Sequence, residues 1–242
     1  NSHQDKMGKI QMTILEIMKQ IARQVKDPVP QSITSNDDTT NELLGYVEDA
    51  AGMIFNDFDW QVLNKTGCID THDGLQTVDL PSDFDSMTSY GIYDKTHCRV
   101  ITAETMDERW ERIVRNVSAD DNKFAIQQNA IVFTAPFREE RKLFYTYKST
   151  GFVKTHDAAG NIVYTDVFAN DGDEFVLNPH LLIQGAIAVR SVNLQLADSA
   201  LRMQRYELLL EKRKNKDCAL LQSVPYTNPD KVITTSKIMG VR

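Results

Sequence analysis

The sequence predicts an α+β protein: a helical bundle from N- and C-terminal helices, a β-rich middle portion over about 61–175 and an extended C-terminal tail. Three observations carry that expectation. Apolar residues recur at spacings of three and four before Trp60 and again beyond Pro179, as one face of a helix requires. Between them, short runs rich in β-branched and aromatic residues alternate with turn formers. Beyond Leu221, Pro225 and Pro229 stand in a stretch with no helical stripe. At 242 residues the chain can make one large domain or two small ones. Its 41% hydrophobic and 25% charged residues exclude wholesale disorder. The expected division is one domain over 1–221 and a tail over 222–242.

The first helix is expected over 10–26, striped by Ile10, Ile14, Ile17, Ile21 and Val25, with Glu16, Lys19 and Lys26 off the stripe. Asp27-Pro28 stops it, because the proline ring disfavours a helical residue before it. The polar loop Gln31 to Asn36 leads to a second helix over 38–59. It is capped around Asp38 to Thr40 and striped by Leu44, Val47, Ala51, Ile54 and Phe58. From Trp60 the period shortens. Strands are expected at Val62 to Ile69, Leu75 to Leu80, Tyr90 to Tyr93 and Arg99 to Ile101. Asp73-Gly74 is a hairpin signal and Pro81-Ser82 a turn.

Residues 103–115 read as a helix with Met106, Trp110 and Ile113 on one side. Strand character returns at Phe124 to Ile126, Ala130 to Thr134 and Lys142 to Lys148, and Gly151 to Asp173 reads as a loop with one strand, Ile162 to Thr165. Asn178-Pro179, a cap followed by a first-turn proline, opens a helix over 179–197. Its Leu181 to Val189 run is apolar almost all round, so it should be buried. Asp198-Ser199 interrupts the pattern before a last helix over 199–217 with Met203, Tyr206 and Leu210. That helix ends in Lys212-Arg213-Lys214, where the helix dipole favours cations. The helices at 10–26, 38–59 and 179–197 are expected to share one core.

Lys and Arg number 27 against 34 Asp and Glu, a net charge of −7. That balance has the wrong sign for a protein whose affinity comes from neutralising phosphates. No apolar run approaches the ~20 residues that span a bilayer. The polar opening Asn1 to Lys6 lacks a signal peptide's apolar stretch, so neither secretion nor membrane insertion is expected. Cys68, Cys98 and Cys218 are scattered and odd in number, which suits reduced thiols.

The sequence patterns of P-loop, dinucleotide, zincin and serine-hydrolase sites are absent. A zinc site drawn from Cys68, His72, His97 and Cys98 fails if His97 and Cys98 are strand neighbours pointing to opposite faces. Asn170 to Asp173 does not meet the ligand order of a calcium loop. Acidic groupings such as Asp83 with Asp85, Asp70 with Asp73, and Asp171 with Asp173 and Glu174 could serve a glycosidase. Beside glycine and proline they read first as turn formers. No catalytic, cofactor-binding or metal-ligating residue is nominated. One contrast is left. Residues 36–60 carry Asp37, Asp38, Glu42, Glu48, Asp49, Asp57 and Asp59 and no Lys or Arg, whereas the last helix carries Arg202, Arg205, Lys212, Arg213, Lys214 and Lys216. In a self-assembling ring, patches of opposite sign favour head-to-tail contacts.

The order of segments carries more. TILEIMKQIARQV is followed by NELLGYVEDAAGMIFNDFDWQVL, LQTVDLPSDFDSMTSYGIYD, FTAPFREERKLFYTYKSTGFV and VFANDGDEFVLNPHLLIQGAIAVR. Its most specific pieces are Asp59-Trp60 after the second helix, Leu80-Pro81-Ser82-Asp83-Phe84-Asp85, and Asp173 to Leu182. Over roughly residues 10–215 this resembles the head-to-tail adaptor (head-completion, connector) proteins of tailed phages, the short-tailed type especially. The Lys154 to Thr165 segment is longer than that family usually has. The resemblance implies a structural virion protein at the portal–tail junction, assembled in the host cytoplasm. It implies a ring of about twelve copies on the portal protein, which extends the DNA channel and offers a platform to tail and nozzle proteins. Genomic DNA would pass without specific binding, and no cofactor or membrane is called for.

On that footing Asp37, Asp38, Glu42, Glu48 and Asp49 are expected to face the channel, because slow release from phosphate contacts would hinder DNA passage. Pro225, Tyr226, Val232, Ile233, Ile238 and Met239 are expected to dock on the portal, with Lys231 to Thr235 able to add a strand to a sheet edge. The competing readings are a virion-associated peptidoglycan hydrolase and an intracellular binding domain unrelated to virions.

Overall fold

The computed structural model describes residues 12–115 and 123–223. Among them it has α1 (Ile14–Val25), α2 (Asp38–Asp57), α3 (Met106–Arg115), α4 (Pro179–Asn193) and α5 (Ser199–Ser223). The strands are β1 (Asn64–Asp70), β2 (Thr77–Asp79), β3 (Phe84–Met87), β4 (Gly91–Asp94), β5 (Arg99–Thr102) and β6 (Phe124–Gln127). They continue with β7 (Ala130–Phe133), β8 (Lys142–Ser149), β9 (Val153–His156), β10 (Ile162–Thr165) and β11 (Glu174–Phe175). The α+β class is as the sequence predicts.

Caps decide where the helices begin. The Thr13 amide donates to Glu16 Oε2 at 3.0 Å and the Glu16 amide to Thr13 Oγ1 at 3.3 Å, a reciprocal box that starts α1 at Ile14. Thr13 itself is extended, so α1 does not include it; Ile10 lies outside the described residues. Thr105 and Glu108 repeat the box at α3, which therefore starts at Met106 and not at 103. Ala103 instead bridges to Phe124. Asp37 Oδ1 accepts the Thr40 amide at 2.8 Å and Asn178 Oδ1 the Leu181 amide at 3.0 Å, capping α2 and α4.

Two helices stop early. Phe58 turns to an extended backbone and sets its ring edge-on to Trp60, so α2 closes at Asp57 and not at 59. Leu194 caps α4 and Gln195 takes a left-handed φ of 52°, so α4 closes at Asn193 and not at 197. The last helix runs longer than expected: α5 continues past 217 to Ser223.

Ile17 and Ile21 of α1, Val47 and Ile54 of α2, and Leu181 and Ile187 of α4 bury into one apolar core, as their stripes require. Tyr206 and Leu210 of α5 close it. At Gly185 an added Cβ would stand 3.2 Å from the Ala50 Cβ and 3.1 Å from the Tyr206 ring, so glycine there lets α4 approach both neighbours. A small sheet, β10–β9–β11, lies against the same core through Val153, Phe152, Phe168 and Phe175. This hairpin and its partner strand occupy the stretch where the sequence gives a loop with one strand.

A second core gathers Ile69, Ile92, Ile101, Ile131, Phe133, Leu143 and Tyr145. Its main sheet runs β1–β8–β4–β5 with β3 also on β8, and β2–β7–β6 forms the other. Asp73-Gly74 does turn, with Gly74 at φ 82°, but β1 pairs with β8 and β2 with β7, so it joins two sheets and makes no hairpin. The β6–β7 hairpin turns at Gln128 and Asn129, both left-handed at φ 47° and 65°.

Candidate functional site

Asp37, Asp38, Glu42, Glu48 and Asp49 are all exposed, and from Asp38 onward they stand on the outer side of α2, as the helical period requires. None of the five makes an ion pair among the described residues. A hydrogen bond from Ser35, then the Thr40 amide, holds the Asp37 carboxyl below its ordinary range. The Tyr46 hydroxyl donates to Glu42 Oε1 at 2.5 Å, and this bond, with burial, pushes the phenol up. Burial, then the neighbouring Asp49, pushes the Glu48 carboxyl up. The result is an electronegative strip with no ion pair among the described residues; Gly45 lies within it and Gly52 just beyond it, and both face open space.

The basic patch on α5 is smaller than its sequence suggests. Lys214 Nζ lies 2.5 Å from Asp57 and 2.8 Å from Glu211, and these bonds push its pKa up; Arg202 pairs with Asp198 at 2.7 Å. Arg205, Lys212, Arg213 and Lys216 remain without an ion pair among the described residues. The six expected docking residues, Pro225, Tyr226, Val232, Ile233, Ile238 and Met239, lie outside the described residues.

Of the acidic groupings that could have served catalysis, Asp83, Asp171, Asp173 and Glu174 are occupied in holding loops and strands. Asp83 takes Lys65 Nζ at 2.5 Å, Ser149 Oγ at 2.7 Å and Tyr147 Oη at 3.1 Å. Burial pushes its carboxyl up, but the Lys65 and Ser149 bonds outweigh that and leave it below its ordinary value. Burial and the same carboxylate push Tyr147 up to about 12. Asp171 Oδ1 accepts the Ile33 amide at 2.7 Å and Asp173 Oδ2 the Ala169 amide at 2.7 Å. Glu174 pairs with Lys154 at 2.8 Å.

His97 and Cys98 sit in the β4–β5 turn and not in a strand, with Cys98 at φ 52°. His97 Nδ1 faces Asp94 Oδ2 at 3.1 Å, while His72 Nδ1 faces the Asp73 carbonyl. Among the described residues, no group of three or more His, Cys, Asp or Glu is placed to hold a metal ion.

That turn holds a polar node the sequence reading misses. Asp94 is completely buried and receives the Thr96 and His97 amides, His97 Nδ1 and Arg141 Nη1, the last at 3.1 Å. Burial raises its carboxyl, and the bonds from His97 together with the Arg141 charge more than reverse that. A second pin joins the halves. Buried Lys148 on β8 donates to the Phe55 carbonyl at 3.1 Å, lies over the Phe55 ring at 4.3 Å and reaches Asp59 at 3.5 Å. The Gln61 amide donates to Asp217 of α5 at 2.9 Å beside it. Aspartate closing a strand before Lys-Thr is the only sequence sign of the first node.

These features are built for holding shape and for presenting surfaces. The family model of the SU10 adaptor protein matches residues 12–220. The chain belongs to that family. The match begins beside the Thr13 cap and ends inside α5, so it takes in both cores of the adaptor. No curated protein matches the chain. Membership gives the adaptor a structural role at the phage head-to-tail junction, as a virion component associated with portal and tail proteins. No helix among the described residues is long and apolar enough to cross a membrane.

Proposed function

We propose that the adaptor forms a ring of about twelve copies on the portal, extends the DNA channel and presents a platform to tail components. It acts as a structural part, with no reaction of its own, and assembles in the host cytoplasm before joining the virion. The observation that supports this most is the family match across residues 12–220. Two cores pinned by Lys148 suit a spacer that must keep its shape while other proteins attach.

In this reading Asp37, Asp38, Glu42, Glu48 and Asp49 line the channel. A strip of unpaired carboxylates repels phosphate and leaves DNA free to move. The arm beyond Ser223, with Pro225, Tyr226, Val232, Ile233, Ile238 and Met239, docks on the portal and extends the 1–221 domain. Co-sedimentation with purified portal protein tests the arm. The full chain should pellet with portal, and a chain ending at Ser223 should stay folded in the supernatant. Undiminished binding by the shortened chain would place the portal contact elsewhere.

A further inference from the structure

α3 is amphipathic, yet among the described residues Met106 and Trp110 of its apolar side are uncovered: they are 79% and 68% exposed, one turn apart on the helix. Beside Met106 opens a shallow cavity of about 320 Å³, bounded by Tyr90, Glu104, Met106, Arg109, Phe124 and Ile126, so one carboxylate and one guanidinium stand at an otherwise largely apolar hollow. Tyr90 projects wholly into solvent and Ile126 is exposed on β6, an edge strand. Aromatic and thioether groups gathered around a hollow mark a contact surface. Arg109 makes no ion pair among the described residues.

The β9–β10 hairpin offers the converse shape. β10 is an edge strand, and Ile162, Val163 and Tyr164 are exposed along it, with Val167 exposed just beyond. Such an edge invites pairing or burial by another surface. Asp166 stands among these apolar groups, exposed and without an ion pair among the described residues. The hairpin is rooted in the helical core through Val153, whereas the cavity belongs to the β core through Phe124.

We infer that the two surfaces meet between copies of this chain: the β9–β10 hairpin of one copy seats in the α3 hollow of the next, with Asp166 against Arg109. The apolar groups on each side cover one another, and the two unpaired charges are of opposite sign. Because the two surfaces differ, the contact is head-to-tail and can repeat around a ring. The inference rests on the ring assembly proposed above and names the surfaces that build it.

Charge exchange tests it in the full chain, with and without portal protein. Sedimentation velocity reads self-association, and electron microscopy reads rings on portal. Arg109→Asp and Asp166→Arg should each weaken self-association by about tenfold or more, and the double exchange should restore it. Both sites are outside the cores, so each variant should melt as the parent does. Assembly should also shift tryptophan emission to the blue, because Trp110 becomes covered while Trp60 is already buried. Trp110→Phe should abolish that shift. Rings that form equally well from both single variants would overturn this interface and leave the ring reading standing. A double exchange no better than the singles would overturn it too. A parent chain that forms no ring even on portal would overturn the ring reading itself.

Discussion

In the helical half, Ile17, Ile21, Ile54 and Leu181 are completely buried, and the buried carboxylate Asp173 holds the loop before β11 by accepting the Ala169 and Asn170 amides. In the β half the interior is threaded with charge: Asp94 is completely buried, and Lys148 and Asp83 hold the strands around them. The two halves also differ in what they leave outside. The outer face of α2 is acidic, whereas α3 and the β3–β4 loop leave Trp110, Met106 and Tyr90 in water. One half is specified by a pattern of burial. The other is specified by a few directional bonds, and its outer elements carry the uncovered apolar groups.

The comparison breaks most decisively at α4. Ile187→Asp places an unpaired carboxylate in the helical core and should cost about 4 kcal/mol or more, enough to unfold that half. Circular dichroism would show the loss, and a parental melting temperature would take α4 out of the core.

Lys148→Met comes next, because it keeps the stem and removes the bond to the Phe55 carbonyl. The expected loss is about 1–3 kcal/mol, with faster amide exchange in β8 and the end of α2 than in α1. Exchange rates unchanged at both places would show that Lys148 is not the pin between the halves.

Acid should act on the β half first. The Asp83 and Asp94 carboxyls sit below the unfolded value of 3.8, so their contribution is complete above that pH and is lost as pH falls through the lower folded values. The melting temperature should therefore drop by at least a few degrees below about pH 4, and Asp94→Asn should flatten that drop. An identical acid profile in Asp94→Asn would remove Asp94 from the account.

The smallest effect lies on α2. Gly45→Ala and Gly52→Ala point into open space and should each raise stability by up to ~1 kcal/mol, which a denaturant titration would detect. A loss of stability would mean that the outer face of α2 is covered by something.

The helical half was the more legible because its signals are local. The stripe Ile14, Ile17, Ile21, the proline stop at Pro28 and the Asn178-Pro179 start each act within a few residues. Asp38, Glu42, Glu48 and Asp49 of α2 fall on its exposed side for the same reason. β3 and β11 are short, and their existence depends on β8 and β9, far away in the chain, so no local pattern shows them. Turn chemistry located Asp73-Gly74 but not its pairing, since a turn does not say which strands will meet across it. Periodicity named the apolar side of α3 as Met106, Trp110 and Ile113, yet period alone cannot say that Met106 and Trp110 are exposed. The Asp94 node was hidden because Arg141, one of its partners, arrives from far along the chain, just before β8.

Single-particle electron microscopy of the full chain mixed with portal protein would image the ring itself. A closed ring of adaptor copies should be seated on the portal, with Asp38, Glu42, Glu48 and Asp49 of α2 turned toward the bore. Bare portal particles, or portals carrying isolated copies with no ring, would contradict it.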